Sequence, residues 1–99
     1  MNREELKIKL TEIGVDVNRL SLYGDLVDDR IIIYQNYSKW EVFYFSERGT
    51  RENFHVFASE ELACQYIYNI LRDEMLFWKK IEEERKKRIS HGEQNEKEI

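Results

Sequence analysis

Two histidines and one cysteine are the residues of this 99-residue chain on which nucleophilic or imidazole catalysis would have to be built. A nucleophilic triad needs a base held against a serine or cysteine and oriented by a carboxylate. His55 falls in a strand-like stretch and His91 in a polar tail, so neither has an evident place in such an arrangement. His55 reads as an ordinary strand-surface or core histidine. Cys64 stands alone, so no intramolecular disulfide forms and no thiolate zinc site can be assembled. A single thiol fits a reducing, cytoplasmic setting. The four glycines are scattered, so no phosphate-cradling loop exists, and no His/Asp/Glu spacing resembles a metal site. Carboxylate pairs are plentiful, but twenty acids produce them by chance. The expectation is a protein with no catalytic residues, no cofactor and no metal.

The remaining chemistry is that of binding. Arg85, Lys86, Lys87 and Arg88 form a basic block that suggests nucleic acid, but Glu82, Glu83 and Glu84 directly precede it. Those acids would repel phosphates within a Debye length, so a solvated helix face is the better reading and nucleic acid is not expected as a partner. The aromatic residues are more informative. Strand alternation over residues 40–45 puts Trp40, Val42 and Tyr44 on one face and Phe43 and Phe45 on the other. Helices can cover one face of a small sheet; the other must bury itself elsewhere or serve a partner. Trp40 and Phe43 are assigned to the core, and Tyr34, Tyr37 and Tyr44 to a partner surface, where tyrosine is favoured. Asp25, Asp28 and Asp29 crowd one loop, either for turn and capping chemistry or as an electrostatic docking site for a basic partner.

These residues need elements to hold them. Asn2 followed by Glu5 reads as a capping box, and Leu6, Leu10 and Ile13 follow at helical spacing. Gly14 suits a left-handed helix stop. A short strand is expected at Leu20-Ser21-Leu22 and a turn at Gly24-Asp25. Residues 31–34, 40–45 and 54–57 are β-branched and aromatic, with a turn at residues 36–38 and a glycine-containing hairpin at residues 46–51. Ser59 is a good N-cap, with Glu60 and Glu61 at the positive end of the helix dipole. From there Leu62, Tyr66, Ile67, Ile70, Leu71, Met75, Trp78 and Ile81 trace one stripe. Trp78 and Ile81 extend that stripe past what a small sheet can cover, so this helix is a candidate for self-association. Glu82–Lys86, Glu83–Lys87 and Glu84–Arg88 are spaced to support the helix further, by about 0.2–0.5 kcal/mol each.

The expected fold class is α+β: an N-terminal helix, an antiparallel β-meander of three to four strands, and a long C-terminal helix packed on the sheet. Residues 1–81 form a single domain, and residues 82–99 a charged helical extension that frays from Ser90. Hydrophobic residues make up 41% of the chain, charged residues 36% and aromatic residues 13%, which excludes disorder over most of its length. The net charge of −4 argues against a generic nucleic-acid binder. Residues 1–78 hold nine bases and fourteen acids, so the folded part carries −5. No apolar run approaches the roughly 20 residues of a membrane span, and the charged N-terminus is not a signal peptide. No membrane association is expected.

Three segments together resemble the small immunity proteins of bacterial polymorphic toxin systems. They are Leu20-Ser-Leu-Tyr-Gly24, Lys39-Trp-Glu-Val-Phe-Tyr-Phe-Ser-Glu-Arg-Gly49 and Phe57-Ala-Ser-Glu-Glu-Leu-Ala-Cys64. The corresponding positions are Ser21, Leu22, Gly24, then Trp40, Val42, Tyr44, Glu47, Arg48, Gly49, then Ser59, Glu60, Ala63 and Cys64. The resemblance covers roughly residues 1–72, and the middle segment is the most specific. It implies a cytoplasmic, non-catalytic protein that binds a cognate toxin domain and blocks it. Many such toxins are basic nucleases, which an acidic partner would meet through complementary fields. Glu47 and Arg48 then become toxin contacts, or else simply the polar tip of a hairpin. The alternative is a self-associating structural or regulatory module, a homodimer built through the long helix at Trp78 and Ile81.

Overall fold

The computed structural model describes the backbone of residues 1–98 and the side chains of residues 1–87. In chain order it contains α1 (Arg3–Glu12), a 3-10 turn (Val17–Arg19), β1 (Leu20–Ser21), β2 (Arg30–Asn36), β3 (Lys39–Phe45), β4 (Arg51–Phe57) and α2 (Glu60–Glu98). The architecture is α+β, with α2 packed on the sheet. Local chemistry sets the helix ends as expected. The Asn2 side chain accepts from the Glu5 amide at 2.8 Å, and the Ser59 hydroxyl accepts from the Leu62 amide at 3.2 Å. Gly14 follows α1 with φ +85°, which a residue with a Cβ adopts only at a cost.

The sheet runs β1-β2-β3-β4. Strands β2, β3 and β4 form the expected antiparallel meander, but β1 joins β2 in parallel, pairing Leu20 with Ile31 and Ser21 with Ile32. The sheet is therefore mixed. Strand β1 is also shorter than expected, since Leu22 lies outside it. A two-residue pairing has no periodicity to read from sequence. A bulge interrupts β3 and β4 between Val42 and Tyr44, where Asn53 takes φ +52°.

Register decides which side chains share a face. Ile33, Trp40 and Val42 point toward the helices and join Leu6, Leu10, Val15, Leu20, Ala63, Cys64, Ile67 and Leu71 in one core. Leu62, placed in the apolar stripe of α2 by its spacing, is exposed instead, and Ala63 and Cys64 are buried. One residue of phase is 100° on a helix, enough to turn a side chain from core to solvent. Arg3 closes the N-terminal end of the core. Its Nε donates to Glu60 at 2.9 Å and a terminal nitrogen donates to the Leu22 carbonyl at 3.2 Å. Its guanidinium lies 4.6 Å from the Tyr23 ring centre and 5.0 Å from that of Trp40.

A seven-residue strand spans about 23 Å. Helix α2 has 39 residues and is about 58 Å long, so it outruns the sheet. Its core contacts end near Met75. The spaced pairs Glu82–Lys86 and Glu83–Lys87 do not close: among the described residues, ion pairs within 4.0 Å occur only upstream in the chain. The side chain of Arg88, the partner of Glu84, lies outside the described residues, and the backbone expected to fray from Ser90 is helical through Glu98.

Candidate functional site

The face of the sheet turned away from the helices is the main candidate. Ile32 and Phe43 lie opposite each other on it and are almost fully buried, yet neither belongs to the helix-side core. Phe54 stacks on Phe43 with ring centres 5.7 Å apart and planes 18° from parallel. The Arg51 guanidinium sits 4.9 Å from the centre of the same ring. The bulge at Asn53 makes this packing possible, because it restores Phe54 to the face of Phe43 after the extra residue. The loop of residues 22–29 passes the same face: a Cβ on Gly24 would lie 2.7 Å from the Tyr34 ring, so only glycine lets backbone and ring approach this closely.

No helix covers the outer layer of this face. Tyr34 is 44% exposed, Phe54 45% and Val56 52%. Leu26 and Val27 in the adjoining loop are exposed as well. In the register Glu41 stands between Tyr34 and Val56, so the exposed apolar side chains flank a carboxylate over the buried floor of Ile32 and Phe43. Exposed apolar side chains rimmed by polar ones make this face the candidate interaction site.

The β2 N-terminal end of the sheet carries the acids. The Asp29 amide donates to the Phe45 carbonyl at 2.8 Å, which ties the 22–29 loop to the β3–β4 hairpin. Asp29 also accepts from the Tyr44 hydroxyl at 2.8 Å. That hydrogen bond, assisted by partial burial and the charges of Asp29, Glu52 and Glu47, raises the Tyr44 pKa above its usual 10.0. Asp25 and Asp28 are exposed in the loop, and Glu47 and Arg48 are exposed at the hairpin tip beside Gly49, whose φ is +80°. Nearby, between sheet and α2, a cleft of about 230 Å³ is lined by Arg19, Asp29, Tyr44, Asn53, Tyr66 and Glu74. Arg19 and Glu74 pair across it at 3.0 Å.

The sequence-derived candidates thus divide. Asp28, Asp29, Tyr44, Glu47 and Arg48 come to one end of the sheet. Tyr34 lies on the open face, and the strongly exposed Tyr37 sits in the β2–β3 turn with φ +56°, at the opposite end. Those two ends are separated by the length of β2, about 23 Å. Tyr44 is held by Asp29 rather than free. Trp78 is exposed on α2 beyond the sheet, and Ile81 is half-buried. Phe54 and Val56, on the open face, had not been singled out; their alternation with His55 and Phe57 was the available signal. His55 lies at the surface, its Nδ1 2.8 Å from the Asn53 carbonyl and its ring 4.8 Å from that of Tyr66.

Cys64 is buried and free, and burial, followed by the Glu60 charge, pushes its thiol up to about 11. Among the described residues no cluster of three or more His, Cys, Asp or Glu is placed to hold a metal ion, and no helix is long and apolar enough to cross a membrane. Comparison of the chain with protein-family models, curated proteins and solved structures finds no match.

Proposed function

We propose that this chain is a non-catalytic immunity protein that binds a cognate bacterial toxin domain in the cytoplasm and neutralises it by covering its active site or substrate surface. The observation that carries this reading is the uncovered apolar face of the sheet at Tyr34, Phe54 and Val56, over the buried floor of Ile32 and Phe43. It has the make-up of an interface centre: aromatic anchors over a dry base with a polar rim. The acidic loop and the −5 charge of residues 1–78 favour a basic partner and fast association. A nuclease domain, basic because it holds phosphates, is the partner class this charge suits best.

The test begins with the tagged full chain as bait in native lysate at moderate salt. The recovered toxin domain is then purified and its toxicity measured with and without this protein. The reading requires a Kd tighter than about 1 μM and relief of toxicity by co-expression. Val56→Lys should abolish both, since it removes apolar contact and sets a like charge against a basic partner. Relief of toxicity that survives Val56→Lys and Phe54→Lys together would move the interface off this face.

A further inference from the structure

Strand β4 is the outermost strand of the sheet, and among the described residues no strand pairs with its far edge. The phase of the ladder shows which backbone groups that edge presents. At the mouth of the β3–β4 hairpin the Ser46 amide donates to the Thr50 carbonyl at 3.0 Å, and bonded pairs recur at every second residue of β3. Tyr44–Glu52, Val42–His55 and Trp40–Phe57 are therefore bonded pairs, and Glu41–Val56 lies between two of them. Glu52, His55 and Phe57 turn their N–H and C=O groups toward β3, whereas Phe54 and Val56 turn theirs outward. The side chains of those same two residues lie on the open face, 45% and 52% exposed.

Natural sheet edges are guarded by charge, proline, bulges or shortness. Here the guards stand at one end. Arg51, Glu52 and the Asn53 bulge blunt the start of β4, while Phe54-His55-Val56-Phe57 contains no Lys, Arg, Asp, Glu or Pro. We infer that this half of β4 is a homodimer interface, in which it pairs antiparallel with β4 of a second copy about a two-fold axis through His55. The occupant follows from the register. Centring on His55 sets Phe54 opposite the partner's Val56 and Val56 opposite the partner's Phe54, all four outward-facing, for about four hydrogen bonds. Centring on Phe54 would run Val56 against Glu52, whose groups face β3; centring on Val56 would run Phe54 against Ala58, past the end of the strand. The chosen register also packs an aromatic against a β-branched side chain across the seam. It closes on itself, because the outer strands of the joined sheet are then the two copies of β1, each two residues long.

The helices leave room for this pairing. Tyr66 packs on His55 and Phe57 with ring centres 4.8 and 5.2 Å away. From there α2 crosses away from the β4 edge, since Glu74 pairs with Arg19 of the 3-10 turn that leads into β1. The two-fold stands perpendicular to the sheet, so each long helix projects away from the other copy. His55 stays exposed on the helix side while Trp40 and Val42 of β3 are buried, so α2 sits inside the edge. With strands about 4.8 Å apart, the two helices lie about 10–14 Å from each other, which two helices side by side require. Leu62, 53% exposed and one turn before Tyr66, falls on the side of α2 that faces this gap. Phe54, Val56, Leu62 and the edge backbone together bury about 800–1,000 Å² over both copies, at the weak end of specific interfaces, so Kd is about 10–100 μM. The dimer does not depend on toxin binding; it is held at the edge and sets two open faces side by side.

Sedimentation equilibrium of the full chain from 5 to 500 μM (about a hundredfold range, spanning the expected Kd) should show mass rising from the 12.1 kDa monomer toward twice that value. Val56→Pro removes an outward N–H and no bond of the β3 ladder, so it should weaken dimerisation at least tenfold and leave the circular dichroism spectrum unchanged. The register is read by cross-linking under mild oxidation. Opposed His55→Cys residues lie about 4.5 Å apart between Cα atoms, within disulfide reach, whereas two Glu52→Cys residues lie about 20 Å apart. The native Cys64 is buried and does not compete. His55→Cys should therefore give a covalent dimer that Glu52→Cys does not. A monomer mass at 500 μM (about five times the weakest expected Kd), masses above the dimer, or equal cross-linking at the two positions would overturn the inference.

Discussion

Replacing Phe43 by alanine tests whether the face of the sheet without helices has a core of its own. Phe43 is 2% exposed and is covered by Phe54 and the Arg51 guanidinium. Truncating a buried phenylalanine costs about 3–5 kcal/mol. A domain of this size has about 5–15 kcal/mol in total, so Phe43→Ala should remove a large fraction of its stability. Phe54 is nearly half exposed, and Phe54→Ala should cost about half as much, near 2 kcal/mol. Because the two rings stack at 5.7 Å, the double variant should cost less than the sum of the singles by about 0.5–1.5 kcal/mol. Urea denaturation followed by far-UV circular dichroism measures all four corners of the cycle. With m of about 1–1.5 kcal/mol/M, the Phe43→Ala midpoint should fall by about 2–5 M. The reasoning fails if Phe43→Ala costs less than about 1 kcal/mol, if Phe54→Ala costs as much as Phe43→Ala, or if the two are additive.

Four other substitutions follow from local geometry. Gly24→Ala would place a Cβ 2.7 Å from the Tyr34 ring at φ +85° and should cost about 2 kcal/mol or more. Gly49→Ala meets nothing within 4 Å at φ +80° and should cost only the backbone term of about 1 kcal/mol; thermal midpoints of the pair separate the two contributions. Burial raises the Cys64 thiol from 9.0 to about 11, so its contribution to stability is present below pH 9 and lost as pH rises through 11. The urea midpoint should therefore drop more steeply above pH 9 in the native protein than in Cys64→Ala. Arg3→Lys keeps the charge but loses the planar fork that reaches Glu60 and Leu22 and stacks on Tyr23 and Trp40. It should cost about 1–2 kcal/mol by urea titration.

Much of this fold is written in short-range pattern. Asn2 and Glu5, Ser59, and the β-branched and aromatic runs fix the element types because a cap or an alternation involves only a few neighbouring residues. The parallel seat of β1 is different: two residues carry no period, and only the tertiary placement of Leu20 against Ile31 selects it. Leu62 illustrates the limit of a stripe, since its spacing fits the helix but its angle does not reach the core. The candidate site was half legible. Alternation in residues 40–45 foretold two apolar faces, and one is open. Which face stays open depends on register and on the Asn53 bulge, so Phe54 and Val56 emerge only in three dimensions. Asp29 looked like a free docking charge, yet it is engaged by the Tyr44 hydroxyl, a contact between residues fifteen positions apart.

The central claim is that the open sheet face holds a basic toxin domain. The most direct measurement is the affinity of the purified toxin domain for the native protein and for the Phe54→Lys/Val56→Lys variant, by calorimetry at two salt concentrations. The account predicts a native Kd below about 1 μM that weakens as salt is raised, and a loss of at least a hundredfold in a variant that stays folded. An affinity that the double substitution leaves unchanged would contradict it.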